Sequence, residues 1–197
     1  MNIIAPRHIL LVLAHPQPTS LCSHLAQTVI VALRDLGWSV DVLDLYGEGF
    51  EAAMNREERS AYYSHAARAA SEHQARLVAA TDLVLVFPTW WFSFPAILKG
   101  WFDRVWAPGV AFAHGTPITP LLTGLRSCTV VTTMGSPWWV DRIVMRQPVR
   151  RVLKTAILGA CAPKARFRML TLHDAEAVRP RRLAAFERRM IAALRQL

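Results

Sequence analysis

The first candidates for chemistry are polar side chains that follow a short apolar run. The run HILLVLA at residues 8–14 is followed by His15, and Thr19 and Ser20 stand where a helix is expected to begin. Free backbone N–H groups at a helix N-terminus, together with the helix dipole, bind anions such as phosphate. The same hydroxyl groups are also common N-caps, and His15 could equally cap the loop. The turn alone therefore fits an anion site or an ordinary helix start.

A second candidate site follows the apolar run DLVLVFP at residues 82–88. Trp90, Trp91 and Phe92 are three consecutive aromatic residues, and neither a helix nor a strand can place all three on one face. At least one of these rings should therefore face a cavity, a partner chain or solvent. A platform for a flat aromatic ligand is one explanation of this pattern.

Small polar groups stand beside aromatic ones again after the run SCTVVTTM at residues 127–134. The relevant side chains and the intervening glycine are, in order, Thr132, Thr133, Gly135, Trp138 and Trp139. Such a combination suits a planar heterocycle that stacks on aromatic rings and forms hydrogen bonds along its edge. The two tryptophans are candidates for a substrate pocket.

Alternating strands and helices must position these three turns. Strands are predicted at residues 8–14, 39–46, 82–88 and 127–134, with a weaker one at 166–171. Helices are predicted at residues 20–36, 55–80, 95–106 and 148–158, and from about 179 onwards. The alternation predicts a parallel α/β sheet covered on both faces, in which ligands bind beyond the carboxyl ends of the strands.

The composition fits a single domain over residues 1–197. The chain is 53% apolar and has three widely spaced cysteines, Cys22, Cys128 and Cys161, without a Cys/His cluster at metal-ligand spacing. This usage predicts a reducing, cytoplasmic location and no metal site. The charge-free run at 83–98 is shorter than the roughly 18–20 residues that a membrane span needs, and two prolines interrupt it, so no transmembrane segment is expected.

The net charge of +9 raises the alternative of a nucleic-acid or membrane-surface partner. The arginines cluster at residues 142–151 and 179–190, both in predicted helices. No recognised nucleic-acid-binding module accompanies them. We therefore expect solvated helix faces, including a basic C-terminal helix, and no nucleic-acid partner.

Three stretches resemble the flavodoxin-like NAD(P)H:quinone oxidoreductases, namely LAHPQPTS, FPTWWFSFPAILKGWFDRVW and TTMG. That family includes quinone reductases of the DT-diaphorase type, the bacterial modulator of drug activity B, and the ancillary subunits of glutathione-gated potassium efflux systems. The resemblance implies an α/β, flavodoxin-like three-layer sandwich. Its five-stranded parallel sheet would have the order 2-1-3-4-5, with helices on both faces.

The resemblance also implies that the three turns bind a flavin. The flavin phosphate would be contacted by His15, Thr19 and Ser20, with Cys22 close to them. The isoalloxazine edge and ribityl chain would be held by Pro88, Thr89, Trp90, Trp91 and Phe92. The pyrimidine side would be lined by Thr132, Thr133, Met134 and Gly135. Two residues depart from the usual pattern, since relatives often have Asn in place of Cys22 and Gly in place of Met134.

The activity that the resemblance implies is the reduction of quinones or similar planar acceptors by NAD(P)H, through ping-pong hydride transfer at flavin N5. No catalytic side chain is assigned, because the flavin carries the chemistry. The motifs leave open FMN against FAD and NADH against NADPH. An alternative function is a flavin-binding ancillary subunit of a membrane transport system. A homodimer through the helix at 95–106, burying Trp101, Phe102 or Trp106, is also expected.

Overall fold

The computed structural model describes residues 7–63 and 71–197. Its strands are, in chain order, β1 (His8–Leu13), β2 (Ser39–Asp44), β3 (Asp82–Pro88), β4 (Phe112–Ala113), β5 (Thr119–Pro120), β6 (Ser127–Thr133) and β7 (Arg166–Leu172). Strands β4 and β5 form a short antiparallel pair, and the others form one parallel sheet in the order β2-β1-β3-β6-β7. Counting only these five strands, the order is 2-1-3-4-5. The predicted three-layer α/β sandwich is therefore confirmed.

Helices cover both faces of the sheet. They are α1 (Leu21–Asp35), α2 (Arg56–Ser60), α3 (Ser71–Ala79), α4 (Ala96–Val105), α5 (Pro148–Arg151), α6 (Leu158–Cys161) and α7 (Pro180–Leu194). A π-helical segment, Val152–Ile157, joins α5 to α6, so the helix predicted at 148–158 is present but has a widened middle. Within the described ranges, no helix combines the length and the apolar character that crossing a bilayer requires.

The sheet separates two apolar cores. Alternate residues of a strand point to opposite faces. Leu10 and Val12 of β1 accordingly lie in the core beneath α3 and α4, while Ile9, Leu11 and Leu13 lie in the core beneath α1 and α7. Strands β3 and β6 are buried at every residue. The apolar run DLVLVFP predicted the burial of β3, because a parallel strand that is covered on both faces has no solvent side.

The single helix predicted at residues 55–80 is wrong over part of its length. Its start is correct, because Asn55 and Glu58 form a capping box in which the Asn55 side chain accepts from the Glu58 N–H at 2.7 Å. Helix α2 then ends at Ser60, and a turn follows. Tyrosine is a poor helix former, and the ring of Tyr63 instead contacts that of His114, with centroids 4.9 Å apart. Residues 64–70 lie outside the described residues, and α3 begins at Ser71.

Helix α4 is packed inside its own chain, which contradicts the predicted dimer surface. Trp101, Phe102 and Trp106 are all buried, and their rings meet edge-on with centroids 5.4–6.1 Å apart. The exposed face of α4 is polar and carries the ion pair between Lys99 and Asp103 at 2.6 Å. The prediction failed because it compared the apolar surface of the helix with one sheet face only. The segment after β2, which includes Phe50 and Ala52, packs against the same core and covers part of the apolar surface of α4 that the sheet leaves free.

That covering segment approaches α4 so closely that only glycine fits at the contact. A Cβ atom added to Gly100 would lie 2.1 Å from the backbone oxygen of Ala52. Backbone cannot swing away as a flexible side chain can. The close approach therefore depends on the missing side chain at this helical position.

We expect Gly100→Ala to lower the free energy of unfolding by about 1–3 kcal/mol, the usual cost of overpacking. Gly124→Ala serves as the control, because a Cβ there meets nothing within 4 Å. The two variants are compared with the wild type by urea denaturation. Stability of Gly100→Ala at or above the wild-type value, as helix propensity alone would give, would contradict the close approach.

Candidate functional site

The three turns singled out in the sequence lie side by side at the carboxyl edge of the sheet. Strand β3 pairs with β1 on one side and with β6 on the other. Backbone hydrogen bonds continue beyond the strands, from the Ala14 N–H to the Val86 oxygen at 3.0 Å and from the Thr89 N–H to the Thr133 oxygen at 2.7 Å. The edge is therefore one continuous surface made by three chain segments.

The first turn ends in a well-formed helix start. Ser20 is the N-cap of α1, and its hydroxyl accepts from the Ser23 N–H at 3.1 Å. The Ser23 hydroxyl in turn donates to the Gln17 carbonyl at 3.1 Å. Thr19 is exposed beside them. The N-cap interpretation is thus confirmed for Ser20, and the first N–H groups of α1 still lack partners within the helix, as at any helix start.

His15 is held in one orientation by its own loop. Its Nδ1 accepts from the Gln17 N–H at 3.0 Å, so the neutral ring carries its proton on Nε2. Burial lowers the pKa of His15 below its ordinary value, which keeps the ring neutral at neutral pH. Its centroid is 6.2 Å from that of Trp90. His15 therefore offers an Nε2–H donor next to the second turn.

The second turn is a tight reversal with a strained backbone. Trp90 and Ser93 exchange two backbone hydrogen bonds, at 3.2 and 2.9 Å. Between them Trp91 and Phe92 have φ angles of 49° and 54°. A left-handed conformation costs a bulky residue about 1–2 kcal/mol, and such strain concentrates at functional sites. Trp91 is 97% exposed, so the strained turn holds an indole ring out into solvent, as the three consecutive aromatics predicted.

Buried side-chain contacts lock the third turn to the other two. The hydroxyls of Thr89 and Thr132 are 2.9 Å apart, and the Cys22 sulfur is 3.4 Å from the Thr133 hydroxyl. All four side chains are buried. Burial also raises the pKa of the Cys22 thiol to about 11, so the thiol is protonated and unreactive at neutral pH. These residues set the position of the turns from below.

The two residues that depart from the resembled pattern both point into the protein. Cys22 faces Thr133 in the core beneath α1, and Met134 is buried with its N–H bonded to the Leu172 oxygen at 2.9 Å. Gly135, the next residue, is exposed. A Cβ atom on Gly135 would approach the Glu176 carboxylate oxygen to 2.9 Å. Neither departing side chain therefore occupies the exposed edge.

Cavity space accompanies the first turn. A cavity of about 490 Å³ is lined by Thr19, Ser20 and Ser23 together with the ends of β1 and β2. Pro88 is buried at the end of β3, while Trp138 and Trp139 are half-exposed beyond the third turn. The predicted site residues thus divide into an exposed set around the edge and a buried set that supports it.

One polar pair at this edge was missed by the sequence analysis. His173 follows β7, and its Nε2 lies 3.1 Å from the Asp141 carboxylate; both side chains are buried. The only sequence signal was a histidine two residues after the end of the weakest predicted strand, at 166–171. Elsewhere in the described ranges, no group of three or more His, Cys, Asp or Glu side chains is arranged to hold a metal ion.

Comparison with known proteins finds one matching family model, described as having a flavodoxin-like fold, which matches residues 7–193. The uncharacterized NAD(P)H oxidoreductase YcaK of Escherichia coli K12 is 40% identical over 110 residues, which are 54% of this chain and 56% of YcaK. The rat NAD(P)H dehydrogenase (quinone) 1 is 34% identical over 131 residues, 57% of this chain and 48% of the enzyme. The matched region thus spans about half the length of these curated relatives.

Among solved structures, the chain is similar to the NAD(P)H:quinone oxidoreductase of Methanothermobacter marburgensis. The TM-score is 0.86 at 24% sequence identity, and the match covers 97% of this chain and 96% of the other. At this identity the likeness shows the fold alone. This structural likeness covers nearly the whole chain, whereas the sequence matches to YcaK and the rat enzyme cover little more than half of it.

We expect Trp91→Gly to raise the free energy of unfolding by about 0.5–1 kcal/mol, because glycine relieves the left-handed strain and an exposed ring loses little burial. In contrast, Trp139→Gly should lower it by about 1 kcal/mol, since Trp139 is half-exposed but helical. Thermal and urea unfolding measure both. If Trp91→Gly destabilised the chain as much as Trp139→Gly, the strained turn would be excluded.

Proposed function

Because the chain belongs to the family with the flavodoxin-like fold, matched over residues 7–193, we propose that it is a flavin-dependent NAD(P)H oxidoreductase. Its acceptors are quinones or similar planar molecules. The observation that carries the proposal is the meeting of three turns at the end of β3: a helix start suited to phosphate, a strained aromatic turn and an exposed glycine. YcaK and the rat quinone reductase bear names that fit it.

The phosphate end of the flavin is assigned to the first turn. The N-terminus of α1 offers free N–H groups and the positive end of its dipole. Thr19 adds an exposed hydroxyl, and the neutral ring of His15 adds an Nε2–H donor on the same side. Ser20 shapes this turn, because its hydroxyl caps α1 and its N–H donates to the Gln17 oxygen at 3.1 Å. The cavity of about 490 Å³ beside this turn gives a phosphate and its sugar chain room.

The ring system is assigned to the other two turns. Trp90 and Phe92 flank the exposed indole of Trp91, and a tight turn presents backbone groups at its surface. On the opposite side Gly135 is exposed above the buried Thr133, with the Glu176 carboxylate close to it. Since the side chains of Cys22 and Met134 lie in the core, the departures at these positions leave the crevice open. The residues present therefore fit a flavin.

A bound flavin supplies the hydride chemistry of this reaction. The contribution of the chain is to bind, orient and exclude water. Exposed aromatic rings at Trp91 and Trp138 give planar substrates an apolar surface to stack on. We infer that NAD(P)H and the acceptor use the same surface in turn, because the three turns form one edge. Alternating occupancy of one surface gives ping-pong kinetics.

The proposal predicts turnover of NADPH or NADH with a simple quinone by the purified chain in the presence of FMN or FAD. Steady-state rates at several fixed quinone concentrations should give parallel lines in a double-reciprocal plot, because the substrates never occupy the site together. Intersecting lines would contradict the shared surface. No turnover with either flavin would contradict the enzyme proposal itself.

Thr19→Glu should weaken flavin binding about tenfold or more, because a carboxylate close to the phosphate end repels it, and a repulsion of about 1–3 kcal/mol is typical of such pairs near a protein surface. An acidic residue near a helix start stabilises the helix, so unfolding does not explain the loss. Ser71→Glu is the matched control, since Ser71 is exposed at the start of α3. Equal flavin dissociation constants for the two variants would contradict the assignment.

Several expectations stay predictions. They are the homodimer, the ancillary-subunit alternative with its membrane-protein partner, the cytoplasmic location and the absence of a nucleic-acid partner. The rings of Trp101, Phe102 and Trp106 are already buried within the chain, so a homodimer would not bury them at its interface. Sedimentation at micromolar concentration measures the oligomeric state directly.

A further inference from the structure

A second cavity, separate from the one beside the first turn, runs along the open edge of the sheet. It has a volume of about 660 Å³ and lies against β7, which among the described strands pairs only with β6. Its walls include Trp138, Arg142 and Arg150 on one side and Arg189 of α7 on the other, with His173 at one end. We call it the arginine pocket. Its size is that of a typical small-ligand site.

The arginine pocket carries uncompensated positive charge. No Asp or Glu lines it, and within residues 7–63 and 71–197 none of its three arginines forms an ion pair. Three carboxylates near the pocket have other partners: Asp141 pairs with His173, Asp174 with Arg182 and Glu187 with His24. Three guanidinium groups around one cavity repel one another unless an anion lies between them. The pocket therefore favours an anionic ligand.

Two of the guanidinium groups are held in place before any ligand binds. The Arg150 group lies 5.3 Å from the centre of the Phe167 ring, and the Arg189 group lies 5.3 Å from that of Phe186. Stacking uses the faces of the guanidinium groups and leaves their N–H edges free. A guanidinium edge donates two parallel hydrogen bonds to a phosphate. The pocket is thus suited to an anion that accepts paired hydrogen bonds, such as a phosphate.

The arginine pocket adjoins the proposed flavin site. Strands β6 and β7 are neighbours, and the Met134 N–H is bonded to the Leu172 oxygen at 2.9 Å. Trp138 lines the pocket and follows Gly135 by three residues, and His173 directly follows β7. A ligand longer than one ring system can therefore extend from the third turn into the pocket. Of the proposed substrates, a dinucleotide has that form.

We propose that the arginine pocket binds the phosphate groups on the adenosine half of NADPH, the 2′-phosphate included, so that the chain favours NADPH over NADH. This inference rests on the proposed function and names its reductant. The extra phosphate of NADPH finds guanidinium donors that NADH leaves unused. The pocket lies opposite the first turn across the sheet edge, so it does not compete with the flavin phosphate.

The first test compares kcat/KM for NADPH and NADH in Arg142→Gln and Arg189→Gln. Each loses a charge-assisted contact to the phosphate, so the preference for NADPH should fall about tenfold. Arg188→Gln is the matched control, because Arg188 is exposed on the same helix and does not line the pocket. It should keep the wild-type preference. A preference that is unchanged in both pocket variants, or lost equally in the control, would overturn the inference.

The second test needs no turnover and separates NADPH from an independent nucleotide or free phosphate. Calorimetry measures binding of adenosine 2′,5′-bisphosphate, adenosine 5′-monophosphate and inorganic phosphate to the flavin-loaded chain. We expect the bisphosphate to bind most tightly, to lose about tenfold in Arg189→Gln, and to compete with NADPH in the kinetic assay. Tight binding without competition would mean a separate nucleotide site and overturn the role in reductant choice. Binding unaffected by both arginine variants would overturn the pocket itself.

If the chain turned over neither dinucleotide but bound the bisphosphate through Arg142 and Arg189, the proposed function would fail while the phosphate pocket stood. Turnover of both dinucleotides without binding of the bisphosphate would leave the proposed function intact and overturn the pocket. The two failures are therefore distinguishable.

Discussion

Strand β3 has no exposed residue, and parallel partners hold it on both sides along nearly its whole length. This burial fixes where the strand must end, because sliding it by one residue would turn every apolar side chain to the wrong core. The ends of β1 and β6 are fixed by the same pairing. Three turns from distant parts of the chain are therefore brought to one edge, and the proposed site exists only because of this arrangement.

Below that edge, buried polar contacts hold the three turns in fixed positions relative to one another. The hydroxyl pair of Thr89 and Thr132 joins the second turn to the third, and the contact of Cys22 with Thr133 joins the first turn to the third. On this base the backbone carries the left-handed residues Trp91 and Phe92. The structure supports their strain with two hydrogen bonds across the turn. Strained backbone that is held in place by well-packed surroundings is common at binding sites.

Much of this could be predicted from the sequence, because it depends on local pattern. Continuous apolar runs indicated the central strands, and a capping motif indicated the start of α2. Three aromatics in a row correctly implied that one ring, that of Trp91, faces solvent. Local pattern could not show which surfaces meet. The burial of Trp101 depends on a segment some fifty residues earlier, at Ala52, which comes close enough to exclude a side chain at Gly100.

In the candidate site, too, the sequence did not show which side chains face one another. Composition alone could not tell that Cys22 and Met134 point inward, and so could not tell that their departure from the resembled pattern leaves the edge open. The arginines were expected to lie on solvated helix faces. Three of them, from different elements, instead surround one cavity without carboxylate partners among the described residues. Charge totals describe a chain, whereas the function of a charge depends on the neighbours that the fold gives it.

The proposed flavin site is best tested by an equilibrium titration of the flavin-free chain with FMN and with FAD, monitored by flavin fluorescence and absorbance. We expect saturable binding of one flavin per chain, with a shifted absorption band as the ring leaves water for the aromatic turn. The flavin that binds more tightly is the cofactor. A titration that shows no saturable change with either flavin would mean that the three turns do not form a flavin site.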